Sequence, residues 1–234
     1  MSSELLFRGG SNEATLRIVR SPSARRIRLR VDRRSGAVLL TVPKRASERK
    51  ALAWAAGHRD WIEAQLAAIQ PPSPLVPGAV VPLYGLPRAI DWDPARPRTV
   101  RVEDDRLLVG GPAENLEARI LRWLRRHAAD LLGRETREYA AKTGVTVTKV
   151  GVGDPASRWG SCSSSGAIRY SWRLVLAPDW VRRATVAHEV AHRVHMNHGP
   201  AFHALVAELL GADPAPARSW LRSNGPLLHR IAGS

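Results

Sequence analysis

The stretch Val186-Ala187-His188-Glu189-Val190-Ala191-His192-Arg193-Val194-His195-Met196-Asn197-His198 decides how this chain is read. On a helix, residues four apart share a face and lie about 6 Å apart along the axis. His188 and His192 so placed can bind one zinc ion, and Glu189 beside them can take a proton from a water on the metal. That is the hydrolytic half of a metalloprotease site. The pentapeptide from His188 to His192 is by itself a weak signal, expected by chance on the order of once per hundred chains of this length. Its surroundings strengthen it, because five of the eight histidines fall between His188 and His203.

The third ligand has three candidates. His188, His192 and His195 fall within roughly 60° on a helical wheel. His195, however, stands about 10 Å along the axis from His188, too far to close on a metal held by the first pair. His198 is favoured if the helix ends near Asn197, with Gly199-Pro200 beyond, so that the chain turns back. Glu208, on a following helix, is the remaining choice. The spacing of His188, His192 and His198 equals that of metzincins, but His195 stands at the glycine of that pattern. The only methionines are Met1 and Met196, so no Met-turn follows and the chain is not a metzincin. Pro178 opens the helix, and Val181, Val186, Val190 and Val194 give it a core-facing stripe.

With 234 residues, 44% of them hydrophobic, the chain can bury a real core in one large domain or two small ones. Its net charge is +15, almost all from arginine, since the lysines are only Lys44, Lys50, Lys142 and Lys149. Arginine forks onto phosphate and carboxylate, which makes nucleic acid an expected partner, although a merely solvated surface explains the charge equally well. A single cysteine, Cys162, excludes an internal disulfide and a cysteine-rich zinc ribbon. No basic-then-apolar leader and no apolar run of membrane-spanning length is present, so the expectation is a cytoplasmic protein with no membrane contact.

Three segments are expected. Residues 1–75, with 14 basic and 6 acidic groups, form a basic strand-strand-helix unit. In it Ile27, Leu29 and Val31 alternate with Arg26, Arg28 and Arg30. Asp32 to Gly36 makes a turn, Ala37 to Val42 returns, and Ser47 caps one helix running to about Ile69. After the break at Pro71-Pro72-Ser73-Pro74, residues 76–112 form short strands at about 80–84, 89–92, 99–102 and 107–109. Residues 113–234 then hold a long helix from about Glu114 to Lys142, ended by Gly144. Strands at 145–150 and 167–176 follow, then the metal helix, a helix from about Ala201 to Leu210, and a short closing segment with Trp220 and Leu221.

The loop Ser157-Arg158-Trp159-Gly160-Ser161-Cys162-Ser163-Ser164-Ser165-Gly166 leads to a strand before the metal helix. Arg158 and backbone amides there can bind an anionic or carbonyl oxygen. Trp159 is read as core, Cys162 as a small packed residue, and His58, His127 and His229 as isolated. His203 is either a support for the site or a surface residue.

Several stretches together resemble the YgjP-like metallopeptidase family, a bacterial relative of the SprT-like zinc proteases. They are Arg158-Trp159-Gly160-Ser161-Cys162-Ser163, Trp172-Arg173-Leu174-Val175-Leu176-Ala177-Pro178, the pentapeptide at His188, and His195-Met196-Asn197-His198. Arg25 to Val31, Thr41-Val42-Pro43 and Trp61-Ile62 match the family's usual start, so the likeness spans nearly the whole chain. One departure is His203, where the family usually has tryptophan. The resemblance implies an α+β protein with a zincin-like C-terminal domain, zinc on His188, His192 and His198, and Glu189 as general base. It implies a protein or peptide substrate, and Arg158 or Tyr170 is expected at the oxyanion. Some family members carry a nucleoside-triphosphate pyrophosphatase attribution. That activity, and nucleic-acid binding around a structural zinc, are the alternative readings; oligomeric state is left open.

Overall fold

The computed structural model describes residues 3–9, 12–32, 36–69 and 71–232. The chain divides into two compact units at Pro71–Pro72. In the first, β1 (Ser3–Gly9) and β2 (Asn12–Ser21) form an antiparallel pair, followed by β3 (Arg28–Val31) and β4 (Val38–Pro43). The sheet order is β1-β2-β4-β3, with β2 and β4 parallel. Sequence reading expected two strands here and missed the first two, although Ala14, Leu16 and Ile18 alternate inward along β2.

The single helix expected after Ser47 is two, α1 (Glu48–Ala56) and α2 (Arg59–Ala67), parted at Gly57-His58. Ser47 does cap the first, its side chain accepting from the Lys50 amide at 3.4 Å. Ala51, Ala55 and Ile62 pack with Ile18, Val38, Leu40 and Val42 into one core. On the opposite sheet face, register sets Arg30 and Arg17 on either side of Leu39, and Arg28 opposite Thr41. These three arginines are exposed. Residues 33–35 of the expected turn lie outside the described residues, but the Gly36 amide does donate to the Asp32 carbonyl at 2.8 Å.

The second unit opens with a sheet of β5 (Val80–Leu83), β6 (Leu86–Trp92), β7 (Arg101–Glu103) and β8 (Arg106–Val109), in the order β5-β6-β8-β7. Helix α3 (Leu116–Thr143) follows and stops at Gly144, whose φ of +67° needs no Cβ to accommodate it. A second sheet has β9 (Lys149–Gly153), β10 (Gly160–Cys162) and β11 (Ala167–Ser171), ordered β10-β11-β9, so that β10 is an edge. Residues 172–176, expected as strand, form a 3-10 turn. Helices α4 (Asp179–Ala191), α5 (Pro200–Leu210) and α6 (Ala215–Leu228) complete the unit. The expected short closing segment is thus a helix of 14 residues.

One core serves this whole unit. Val81, Leu83, Ile90 and Leu107 from the first sheet share it with Leu124 and Leu132 of α3 and Val186 and Val190 of α4. Residues 76–112 therefore pack as part of the same body as the helices. The β5–β6 turn braces the start of α4: the Tyr84 amide donates to Val175 O at 2.8 Å and the Gly85 amide to Leu176 O at 3.1 Å. Gly85 has φ +77°, and a Cβ there would meet Pro178 Cγ at 2.7 Å. Two buried cations tie distant segments together. Arg182 of α4 binds Glu135 of α3 at 2.8 Å. Arg173, 0% exposed, binds Asp154 at 2.8 Å and donates to the carbonyls of Leu228 at 2.7 Å and Ile231 at 2.5 Å. Among the described residues, no helix is long and apolar enough to cross a membrane.

Candidate metal centre

Helix α4 buries Val181, Val186, Val190 and Ala191, which turns His188 and His192 toward the opposite side. The helix ends at Ala191, sooner than the sequence suggested, and the amides of Arg193, Val194 and His195 close back onto Val190 and Ala191. Arg193 fixes this turn by donating to the carbonyls of Thr146 and Ser164, each at 3.1 Å. The chain then returns, and His198 Nε2 comes to 3.3 Å from His188 Nε2. One ligand atom from each of His188, His192 and His198 lies within 4.8 Å of the others.

Three imidazoles are a donor set that suits an ion such as zinc, and one pair already has its spacing. Tetrahedral Zn–N bonds of about 2.0–2.1 Å separate two ligand nitrogens by roughly 3.4 Å, the spacing already present between His188 and His198. Burial, then the neighbouring His192 and His198, push His188 down to about 4, so near neutrality it carries the lone pair a metal requires. His192 Nδ1 lies 3.1 Å from the His195 carbonyl; donation there leaves Nε2 as the free lone pair. His195 thus contributes its backbone, and neither it nor the exposed Glu208 joins the trio.

Beneath the histidines lies Phe202, fully buried on α5, with its ring 4.9 Å from His188, 4.6 Å from His192 and 4.8 Å from His198. Sequence reading gave Phe202 no role; its only signal is that it lies four residues after His198, in the first turn of the next helix. His203 is exposed, 6.4 Å from His198, at the mouth of a cleft.

Glu189 is 5% exposed, and its carboxyl packs against the edge strand β10. A Cβ on Gly160 would come within 2.5 Å of Glu189 Oε1, so the approach requires glycine. Burial raises the carboxyl to about 7, against the opposing charge of Arg158. A carboxylate with that affinity can both take and return a proton at neutral pH. Arg158 is exposed, two residues before β10. Tyr170, expected beside it as an oxyanion donor, is instead 0% exposed, with its hydroxyl 3.0 Å from Thr136 Oγ1. Burial raises its pKa strongly, and its place is in the core below the site.

Trp159 is half-buried and fills a notch at Gly225 of α6, where a Cβ would meet its ring at 2.7 Å. The thiol of Cys162 is pushed up by burial, which disfavours a nucleophile. His127 is not isolated: it stacks on Trp123 at 5.0 Å and bonds the Tyr84 hydroxyl. Beside Glu189 and His188 opens a cleft of about 250 Å³, reaching α5 and α6.

Three histidines that could hold one metal ion, a buried carboxyl next to them and a cleft alongside are the groups that a metal-dependent hydrolase uses. The chain belongs to the YgjP-like metallopeptidase family, whose domain model matches residues 25–224. That membership supports a metal-dependent peptidase and implies a metal ion, which the histidine cluster can bind. No curated protein and no solved structure matches the chain.

Proposed function

We propose that the protein is a zinc-dependent peptidase in which His188, His192 and His198 hold the metal and Glu189 is the general base. The observation that carries this reading is the placement of a buried Glu189 carboxyl, raised to about 7, beside three histidines whose ligand atoms lie within 4.8 Å of one another. A bound zinc ion would polarise the scissile carbonyl and acidify a water. Glu189 takes the proton of the attacking water and hands it to the departing amine, a shuttle suited to a group titrating near neutrality. Arg158, whose charge already reaches Glu189, supports negative charge on the carbonyl oxygen. Tyr170 holds the floor of the site through Thr136.

The test is hydrolysis of an unfolded protein such as reduced casein by zinc-loaded protein and by Glu189→Gln. Glu189→Gln is expected to keep its metal and lose activity by a factor of about 10² or more. Full activity in that variant would remove Glu189 from the mechanism. Phosphate release from nucleoside triphosphates that depends on Glu189, without peptide cleavage, would replace the peptidase reading.

A further inference from the structure

The cleft beside the metal centre has an unusual wall. Trp159, Ala184, Val206, Pro214, Ala217 and Leu221 make it apolar, and among the described residues Glu189 is its one carboxylate. Into this wall α6 sets one cation, Arg218. Arg218 is exposed, and its charge is felt at His188. Among the described residues its guanidinium has no hydrogen-bond or ion-pair partner. The nearby arginines of α4 and the following turn are all engaged: Arg182 with Glu135 and Asp179, Arg183 with Glu138, and Arg193 with two carbonyls. A planar five-donor fork at the rim of an apolar pocket is matched by a carboxylate, which it binds through two parallel hydrogen bonds. At about 250 Å³ the cleft has room for a side chain or a chain end.

We propose that this cleft receives the part of the substrate next to the scissile bond and that Arg218 makes it select a carboxylate there, from an acidic side chain or from a free C-terminus. The proposal rests on the peptidase reading of the same site. Arg218 is a specificity-determining residue; the hydrolytic step remains with Glu189.

Alanine-based hexapeptides capped at both ends, with one Glu or with Gln in its place, separate charge from shape. A third peptide, with Gln and a free C-terminus, separates the two sources of carboxylate. Binding is measured to the zinc-loaded full-length Glu189→Gln protein, and kcat/KM to the protein with Glu189 intact. The capped Glu peptide, the free C-terminus, or both are expected to be favoured over capped Gln by about tenfold, the scale of one charge-assisted hydrogen bond. In Arg218→Met that ratio falls to near one. In Arg218→Glu it inverts, and a Lys peptide becomes the better ligand.

A ratio near one in the protein with Arg218 intact, or a preference that survives Arg218→Met, overturns the proposal. Peptides cleaved without preference sink the carboxylate pocket and leave the peptidase standing. A binding preference that disappears in Arg218→Met, with no peptide cleaved, leaves the pocket standing and sinks the peptidase. Tighter binding of a nucleoside triphosphate than of any of these peptides overturns the carboxylate assignment in favour of phosphate.

Discussion

Gly160 sets the position of Glu189, and a single methyl group tests it. The Cβ of Gly160→Ala would stand 2.5 Å from Glu189 Oε1, and the carboxyl would have to move. A displacement near 1 Å costs a positioned catalytic group on the order of 10² in rate. The expected result is loss of kcat/KM of that size with unchanged zinc content by metal analysis. The ionisable residues of the site also predict a stability profile for the metal-free protein. His188 drops to about 4 on folding, so its contribution is fully present above about 6.5. That contribution is lost as pH falls from there toward 4, because the unfolded chain then binds the proton that the folded one refuses. Glu189 has the opposite sign: raised to about 7, it favours the folded state below its unfolded value and loses that contribution as pH rises through 7. Thermal melts of metal-free protein should therefore show Glu189→Gln gaining on the parent more at pH 8 than at pH 5. An equal difference at both pH values would refute the buried-carboxyl account. At this scale the sequence marked His188, Glu189, His192 and His198 because their spacing carries chemistry. Phe202, Gly160 and Arg218 were illegible because their roles come from contacts between elements far apart in the chain.

Among the elements, α4 was the most legible: Pro178 precedes it, Val181, Val186 and Val190 are buried, and the histidines lie on the other side, while Val194, expected in the same stripe, falls beyond the helix and is exposed. Helix α6 is expected from the sequence only as a short closing segment with Trp220 and Leu221. It runs on to Leu228, and Gly225 within it is where Trp159 packs, a contact between residues far apart in the chain. The β5–β6 turn illustrates how an element far from the chemistry positions it. Gly85→Ala would place a side chain at φ +77° and against Pro178, at the first turn of α4. A cost of roughly 1–3 kcal/mol is expected for strain of this kind. It should be read as a lower denaturant midpoint at unchanged slope.

For the whole molecule, composition announced a basic chain, and the first unit shows where part of that charge sits. Arg17, Arg28 and Arg30 share the sheet face opposite the α1–α2 helices. We propose this face as a contact for single-stranded nucleic acid. If these three residues each neutralise one phosphate, the log–log slope of affinity against salt includes about −2 from them. Fluorescence polarisation between 50 and 200 mM salt measures it. Replacing all three by serine should shrink the slope by that amount, and an unchanged slope would place the contact elsewhere. The sequence places its break at Pro71-Pro72-Ser73-Pro74, and the two compact units part at Pro71–Pro72. The expected segments divide the second unit at residue 112 because local patterning cannot show that Leu107 and Leu124 will share a core.

Arg173 ties the end of the second unit to its middle. Its buried guanidinium is completed by the carbonyls of Leu228 and Ile231, which are made 55 and 58 residues later. Ser73, at the unit's beginning, is stitched to the same stretch through Arg230 and Ala232. A chain shortened before Leu228 would therefore take two carbonyl acceptors from a buried guanidinium, a loss that costs far more than two exposed hydrogen bonds, so the last helix belongs to the stability of the body that holds the metal helix.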